Sequence, residues 1–267
     1  MADDLSPASV TGSLDTRFIG QRVVYYPSLA STNEAAKREA QKYAPEGTIV
    51  IARQQIAGKG RLKRVWLSPE GSIALSIILY PALAHLSSLV MIASLAVVRS
   101  IRVVTGLEAQ IKWPNDVLVA GKKVSGILIE SRVRGSTVDY AVIGIGVNAN
   151  LRLSDFPEIA AIATSLSEEM AQDVSLLALT RRVLIELESL YLVLLAGGSV
   201  YEDWRDSLVT LGKEVYLEPG GAVCDGIAES VDRDGSLLLR HPDGSLIKIV
   251  AGDVTLRHRG CNPPSPC

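Results

Sequence analysis

Apolar positions along the chain change period several times, and each change marks an element. Arg22–Tyr26 and Thr48–Ile51 are short β-branched or aromatic runs that predict strands. Between them, Ser31-Thr32-Asn33-Glu34 leads into AAKREAQKYA, with Ser31 and Glu34 at the spacing of a capping box, which predicts a helix from Thr32. Ser72–Tyr80 is apolar enough for a buried strand. His85–Thr105 is apolar all round and predicts a long helix that a sheet covers over much of its circumference, ended by Gly106. Four β-like runs follow, Glu108–Trp113, Val117–Val119, Lys123–Glu130 and Val138–Val147. The turns between them, Pro-Asn-Asp, Ala-Gly-Lys and Arg-Gly-Ser, suit antiparallel hairpins. Ser175–Leu195 predicts a second long helix and Val200–Leu211 a shorter one. The economical architecture is α+β, a mixed, mainly antiparallel sheet with helices on one face.

At Gly212 the pattern shifts to short strands broken by Gly220-Gly221, Asp234-Gly235 and Asp243-Gly244. This predicts a small all-β module over 212–258, roughly 45 residues and near the lower limit for independent folding, leaning on a main domain at 15–211. Residues 1–14, which lack the apolar core of a signal peptide, and the Pro-rich 259–267 read as disordered tails.

Charge adds mainly exclusions. With 27 Lys plus Arg against 29 Asp plus Glu, the net charge is −2, so no whole-protein field draws the chain to nucleic acid or an anionic membrane. Cys224, Cys261 and Cys267 are an odd set without C-x-x-C spacing, and His85, His241 and His258 are scattered. That argues against a disulfide framework or a zinc site and for reduced thiols. The longest apolar window, Leu89–Val98, is short of the about 20 residues a bilayer span needs, which leaves a soluble, cytoplasmic protein as the expectation.

Two stretches carry candidate chemistry. QQIAGKGRLKRVW, Gln54–Trp66, places Gly58 and Gly60 among the cations Lys59, Arg61, Lys63 and Arg64. Such a loop suits phosphate or carboxylate oxygens, although solvated surface charges would show the same composition. It is neither a Walker A loop nor a G-x-G-x-x-G turn. IKWPNDVLVAGKKVSGILIE, Ile111–Glu130, delivers Lys112 and Trp113 to a strand end that Pro114 stops and Asn115-Asp116 turns. Lys123 opens the next strand, and Ser125-Gly126 permits close backbone approach within it. Each motif alone is equally readable as a plain turn.

Taken in order, Ser31-Thr32-Asn33, the Gly-rich basic loop, KWPND at Lys112–Asp116, K-x-x-G-I-L-I-E at Lys123–Glu130 and Gly144-Ile-Gly-Val-Asn148 resemble the biotin protein ligases. The resemblance extends through Ala163-Thr-Ser-Leu166 to Gly252-Asp-Val-Thr-Leu-Arg257 and covers about 15–258. It implies a catalytic domain of the biotin–lipoate ligase type, akin to class II aminoacyl-tRNA synthetases, followed by an SH3-like β barrel. It implies ATP-dependent formation of biotinoyl-5′-AMP with Mg2+, then transfer of biotin to one lysine of a biotin carboxyl carrier protein. A homodimer is a habit of the family.

By the same resemblance, Lys123 and Arg61 are the catalytic cations. Ser31, Thr32, Asn33, Gln55, Gly58, Lys59 and Gly126, together with those two, surround biotin. Arg61, Arg64, Trp66, Lys112, Asn115, Asp116 and Asn148 take ATP, Asp116 through a magnesium ion. Ser31 has two claims on it, as helix cap and as ligand contact. Leu151–Ile162 falls where the family has a loop that orders over the adenylate. The family's basic loop commonly reads G-R-G-R-R-G-R; here Lys59 and Leu62 replace arginines, and Lys63 stands at a glycine position, which restricts positive φ. The winged helix-turn-helix of bifunctional members needs about 60 residues. Only about 15 precede the match here, so operator binding is not expected. A lipoate or octanoate transferase of the same fold and a silent biotin-binding sensor are the alternatives.

Overall fold

The computed structural model describes residues 4–217, 224–250, 252 and 254–256. In chain order the elements are α1 (Pro7–Thr11), β1 (Val23–Tyr26), α2 (Thr32–Gln41), β2 (Ile49–Ala52), β3 (Ser72–Leu79), α3 (Ser88–Thr105), β4 (Ala109–Lys112), β5 (Asp116–Val119), β6 (Lys122–Arg134) and β7 (Thr137–Asn148). Then come α4 (Leu166–Met170), α5 (Leu176–Leu195), α6 (Tyr201–Asp206), β8 (Glu214–Leu217), β9 (Cys224–Val231), β10 (Leu237–Arg240), β11 (Leu246–Ile249) and β12 (Val254–Leu256).

β1 to β7 form one sheet in the order β1-β2-β3-β7-β6-β5-β4, antiparallel except for β1 beside β2. Alternation sorts its side chains. Ile49 and Ile51, Leu75 and Ile77, and Ile143 and Ile145 join the core that α3 and α5 cover, whereas Val50, Ile78 and Val142 pack against Ala35, Ala36 and Ala40 of α2 on the opposite face. The two long helices thus share one face as expected, and α2 occupies only part of the other. The rest of that second face is open, and the candidate site lies there.

The N-terminal expectation needs correction. Leu5, Val10 and Leu14 are buried, and residues 7–11 form a helical turn with Pro7 at its start and Ser6 accepting from the Ser9 N–H at 3.3 Å. Arg181 of α5 holds it by donating to the carbonyls of Val10, at 3.2 Å, and Ser9. The predicted Val200–Leu211 helix stops at Asp206. The chain beyond it runs along β4 instead, with the Ile111 N–H donating to Ser207 O at 2.8 Å and the Val209 N–H to Ile111 O at 2.9 Å. α3 has the length and composition of a membrane span, with mean hydropathy 1.7, yet more than half of it is buried in the protein.

β8 to β12 make a second antiparallel sheet, ordered β11-β10-β9-β8-β12. Val215, Leu217, Ala228, Leu237 and Leu239 belong to the same core as α3 and α5, so the small sheet leans on the larger one through shared apolar packing. Gly220-Gly221, Asp253, Arg257, His258, Cys261, Cys267 and the tail expected at 259–267 lie outside the described residues.

Candidate active site

Strand ends on the open face converge on a cavity of about 610 Å³. The start of α2, the basic loop after β2, the β4–β5 turn, the first residues of β6, the end of β7, the 149–165 segment and β12 all reach it. Every residue assigned above to biotin or ATP lines this cavity except Gly58, whose carbonyl accepts the Trp66 N–H at 2.9 Å within the loop.

The floor is polar but uncharged at its surface. The Thr32 N–H and hydroxyl donate to Gln55 Oε1 at 2.8 and 3.1 Å. Asn33 Nδ2 donates to Glu130 Oε2 at 2.8 Å, which turns its carbonyl toward β3, where the Ser76 hydroxyl donates to Asn33 Oδ1 at 2.6 Å. Ser76 Oγ also lies 2.8 Å from Thr32 Oγ1. A hydroxyl has one proton, and an ionised carboxylate only accepts, so Glu130 sets the direction of this chain. The predicted capping box does not form. Ser31 stands at the N-cap in extended backbone, but its side chain makes no cap bond; at the helix start Gln55 accepts from the Thr32 N–H instead. Glu34 turns away to Lys37 and Lys59, leaving Ser31 among the residues facing the cavity.

The opposite wall holds the cations. Lys123 Nζ is 2.6 Å from Asp116 Oδ1 and 5.4 Å from the centroid of the Trp66 ring. Arg61 Nη1 donates to Asn115 Oδ1 at 3.0 Å and to Gly252 O at 3.2 Å, and Asn115 Nδ2 donates to Ile127 O at 2.8 Å. Arg64 and Lys112 line the same wall. Asn148 is buried and donates to Thr164 O at 3.1 Å. The segment expected over an adenylate runs beside the start of β6, with the Lys123 N–H on Ile162 O and the Thr164 N–H on Lys123 O, both at 2.9 Å. Ile159, Ala161 and Ile162 turn its apolar side into the cavity lining.

Several contributors were given no role from the sequence, although Gly144, Gly146 and Glu130 lie within motifs quoted above. Gly144 and Gly146 of β7 leave space for two of the site's side chains: an added Cβ would stand 2.3 Å from Asn33 Oδ1 or 2.4 Å from the Trp66 indole. Isolated glycines in an apolar strand were the available signal. Trp66 Nε1 is buried without a hydrogen-bond partner among the described residues. Ser76 and Glu130 orient the floor from other strands, and Val254 and Thr255 bring the C-terminal sheet to the rim. In the basic loop, Leu62 and Lys63 have φ of 51° and 61°. Lys63 therefore adopts the left-handed backbone that a glycine would enter freely.

A sheet whose open face pairs a neutral polar floor with a wall of cations suits an acid-activating ligase, and comparison with known proteins places the chain in the biotin–lipoate class. Residues 25–148 match the Biotin/lipoate A/B protein ligase family and residues 210–257 the Biotin protein ligase C terminal domain. The chain is 35% identical over 258 residues to the bifunctional ligase/repressor BirA of Bacillus subtilis, covering 94% of this chain and 79% of that protein. It is 32% identical to the biotin--[acetyl-CoA-carboxylase] ligase of Paracoccus denitrificans, covering 85% of this chain and 98% of that one. Among solved structures, the Aquifex aeolicus biotin protein ligase in complex with biotin and ATP superposes with a TM-score of 0.75 at 29% identity, over 89% of this chain and 99% of that one. The chain belongs to the biotin protein ligases.

Proposed function

We propose that the chain joins biotin to a biotin carboxyl carrier protein in two steps within this one cavity, the first consuming ATP and the second transferring the activated biotin. The observation that carries the reading is the division of the cavity into a neutral floor and a cationic wall, with Lys123 and Arg61 on the wall. Biotin's ureido ring is neutral and needs short polar contacts, which Ser31, Thr32, Asn33 and Gln55 offer. Its carboxylate and the ATP phosphates repel one another, and fixed cations in a site closed to water lower that cost.

In the first step a biotin carboxylate oxygen attacks the α-phosphorus, the bond to pyrophosphate breaks, and biotinoyl-5′-AMP forms. Lys123 leaves Asp116 for the carboxylate and α-phosphate, and Arg61 reaches the same group from the loop. Lys112, Arg64, Asn115, Asn148 and the Trp66 ring hold the nucleotide, while Gly126 lets the backbone approach the biotin chain. In the second step the neutral amine of a carrier lysine attacks the acyl carbon, AMP leaves, and the nitrogen loses a proton. The 151–162 segment limits access of water to the mixed anhydride.

Among the described residues no cluster of three or more metal-ligating side chains exists, and Asp116 is the one carboxylate lining the cavity. That donor set fits a magnesium ion that arrives with the triphosphate, and Asp116 would hold it. When bound, such an ion neutralises phosphate charge.

The test is incorporation of labelled biotin into a purified carrier domain, with and without MgATP, beside lipoate and beside Lys123→Ala. ATP-dependent transfer that prefers biotin is expected, with adenylation in the variant lower by about two powers of ten or more and biotin binding retained. Equal loss of biotin binding would remove Lys123 from the chemistry, and preference for lipoate would overturn the substrate.

A further inference from the structure

The basic loop is a small hairpin of its own. The Gly60 N–H donates to Arg64 O at 2.8 Å and the Trp66 N–H to Gly58 O at 2.9 Å, with a bridge between Lys59 and Val65. A unit of this kind moves as one piece, so its position depends on where it is tied down. Its root is tied at Gln55, which accepts from Thr32. Further out, Arg61 ties the loop to Asn115 and Gly252 on the wall side, and Lys59 Nζ, 2.6 Å from Glu34 Oε1, ties it on the floor side. The Gln55 and Lys59 ties both end on the first turn of α2.

Glu34 is more than a local counter-ion. Its Oε1 also accepts from Lys37 at 2.7 Å; Lys37 Nζ reaches Glu130 Oε1 at 2.8 Å; and the other oxygen of Glu130 holds Asn33 in the floor. The loop and the polar floor are therefore linked by one chain of four charged side chains, Lys59–Glu34–Lys37–Glu130, that ends on the Asn33 amide. Hydrogen bonds from Lys37 and then Lys59 hold the Glu34 carboxyl below its ordinary pKa, against the opposing effect of burial. For Lys37, burial works against the charge, and its bonds to Glu130 and Glu34 outweigh it.

We infer that Glu34 is a positioning residue that latches the basic loop onto α2 through Lys59, holding the loop's backbone against the floor and joining loop closure to biotin capture. The second half of that statement rests on the reading of the loop as part of a biotin site; the first half does not. Lys59 and Glu34 are both partly exposed, so the latch is weak enough to open on each cycle.

Two readouts separate the halves. In ligand-free protein, thermolysin cuts before the exposed Leu62 and Val65 only when the loop lifts, so the cleavage rate reports the latch without any ligand. Glu34→Gln and Lys59→Gln should each raise that rate about twofold to fivefold, the range set by a partly exposed ion pair, and the double variant should do no more than either alone. Lys59→Arg keeps the charge and should keep the protection. Lys37→Gln, which removes the helix and floor pairs but leaves Lys59 on Glu34, should leave the rate near that of the parent. Unchanged cleavage in Glu34→Gln, or an equal rise in Lys37→Gln, overturns the latch. The second readout is the KM for biotin, expected to rise in Glu34→Gln by a similar factor with kcat of adenylation unchanged. Faster cleavage with no change in KM supports the latch and overturns the loop's part in holding biotin. Melting curves confirm that each variant is folded.

Discussion

A serine at a helix N-cap normally earns its place by accepting a backbone N–H, and replacing it with alanine costs about 1 kcal/mol. Ser31 makes no such bond. Ser31→Ala should therefore leave the melting temperature unchanged while weakening biotin binding by about 0.5–1.5 kcal/mol, the usual net worth of one hydrogen bond. Calorimetric titration beside a melting curve checks both; a destabilised variant with parental affinity would return Ser31 to the helix. The serine's position was legible in the sequence, but its allegiance was not. Gln55, which takes the Thr32 N–H, lies 23 residues from it at the root of another loop, and no local pattern announces that its amide will meet the helix start. Ser76 and Glu130 were hidden for the same reason: they act through partners on α2, far from them in the chain.

At the level of elements, strands and long helices were readable wherever one face is buried, because alternation and helical spacing record that face directly. α1 was not readable. One helical turn shows too few apolar positions for a period, and it owes its place to Arg181 and the core rather than to its own propensity. The C-terminal hairpins were legible in their Asp-Gly turns, and one of those turns has a measurable consequence. Asp234 in the β9–β10 turn accepts from Lys248 and from the Ser236 N–H, which holds its carboxyl down to about 2. A carboxyl depressed in the folded state stabilises above its unfolded value and loses that contribution as pH falls through the folded one. The stability of the turn should thus decline between about pH 4 and about pH 2. Urea midpoints followed across that window should fall less steeply in Asp234→Asn than in the parent; identical slopes would rule out this carboxyl as the source.

Across the whole molecule, Trp113 is one of the residues that tie the second sheet to the site. Trp113 of the β4–β5 turn is fully buried; its N–H donates to Thr210 Oγ1 at 2.9 Å, and its Nε1 donates to Gly235 O in the β9–β10 turn at 2.8 Å. The residues around it, Lys112, Asn115 and Asp116, belong to the cationic wall and its immediate partners. Trp113→Phe keeps an aromatic ring but loses the indole bond, for about 1 kcal/mol of stability. It should raise the KM for ATP several-fold while leaving biotin affinity at the parental value, since the floor draws on other elements. Parallel changes in both affinities would show that the second sheet supports the fold in general rather than the nucleotide side.

The contact between Arg61 and the Gly252 carbonyl spans most of the chain. A ribosome making this protein releases the floor residues well before the partner of Arg61. A nascent chain short of residue 252 can therefore fold the floor of the cavity while Arg61 still lacks one of its anchors. On the function proposed above, the order of synthesis lays down the ring-binding half first and completes the anion-binding half afterwards.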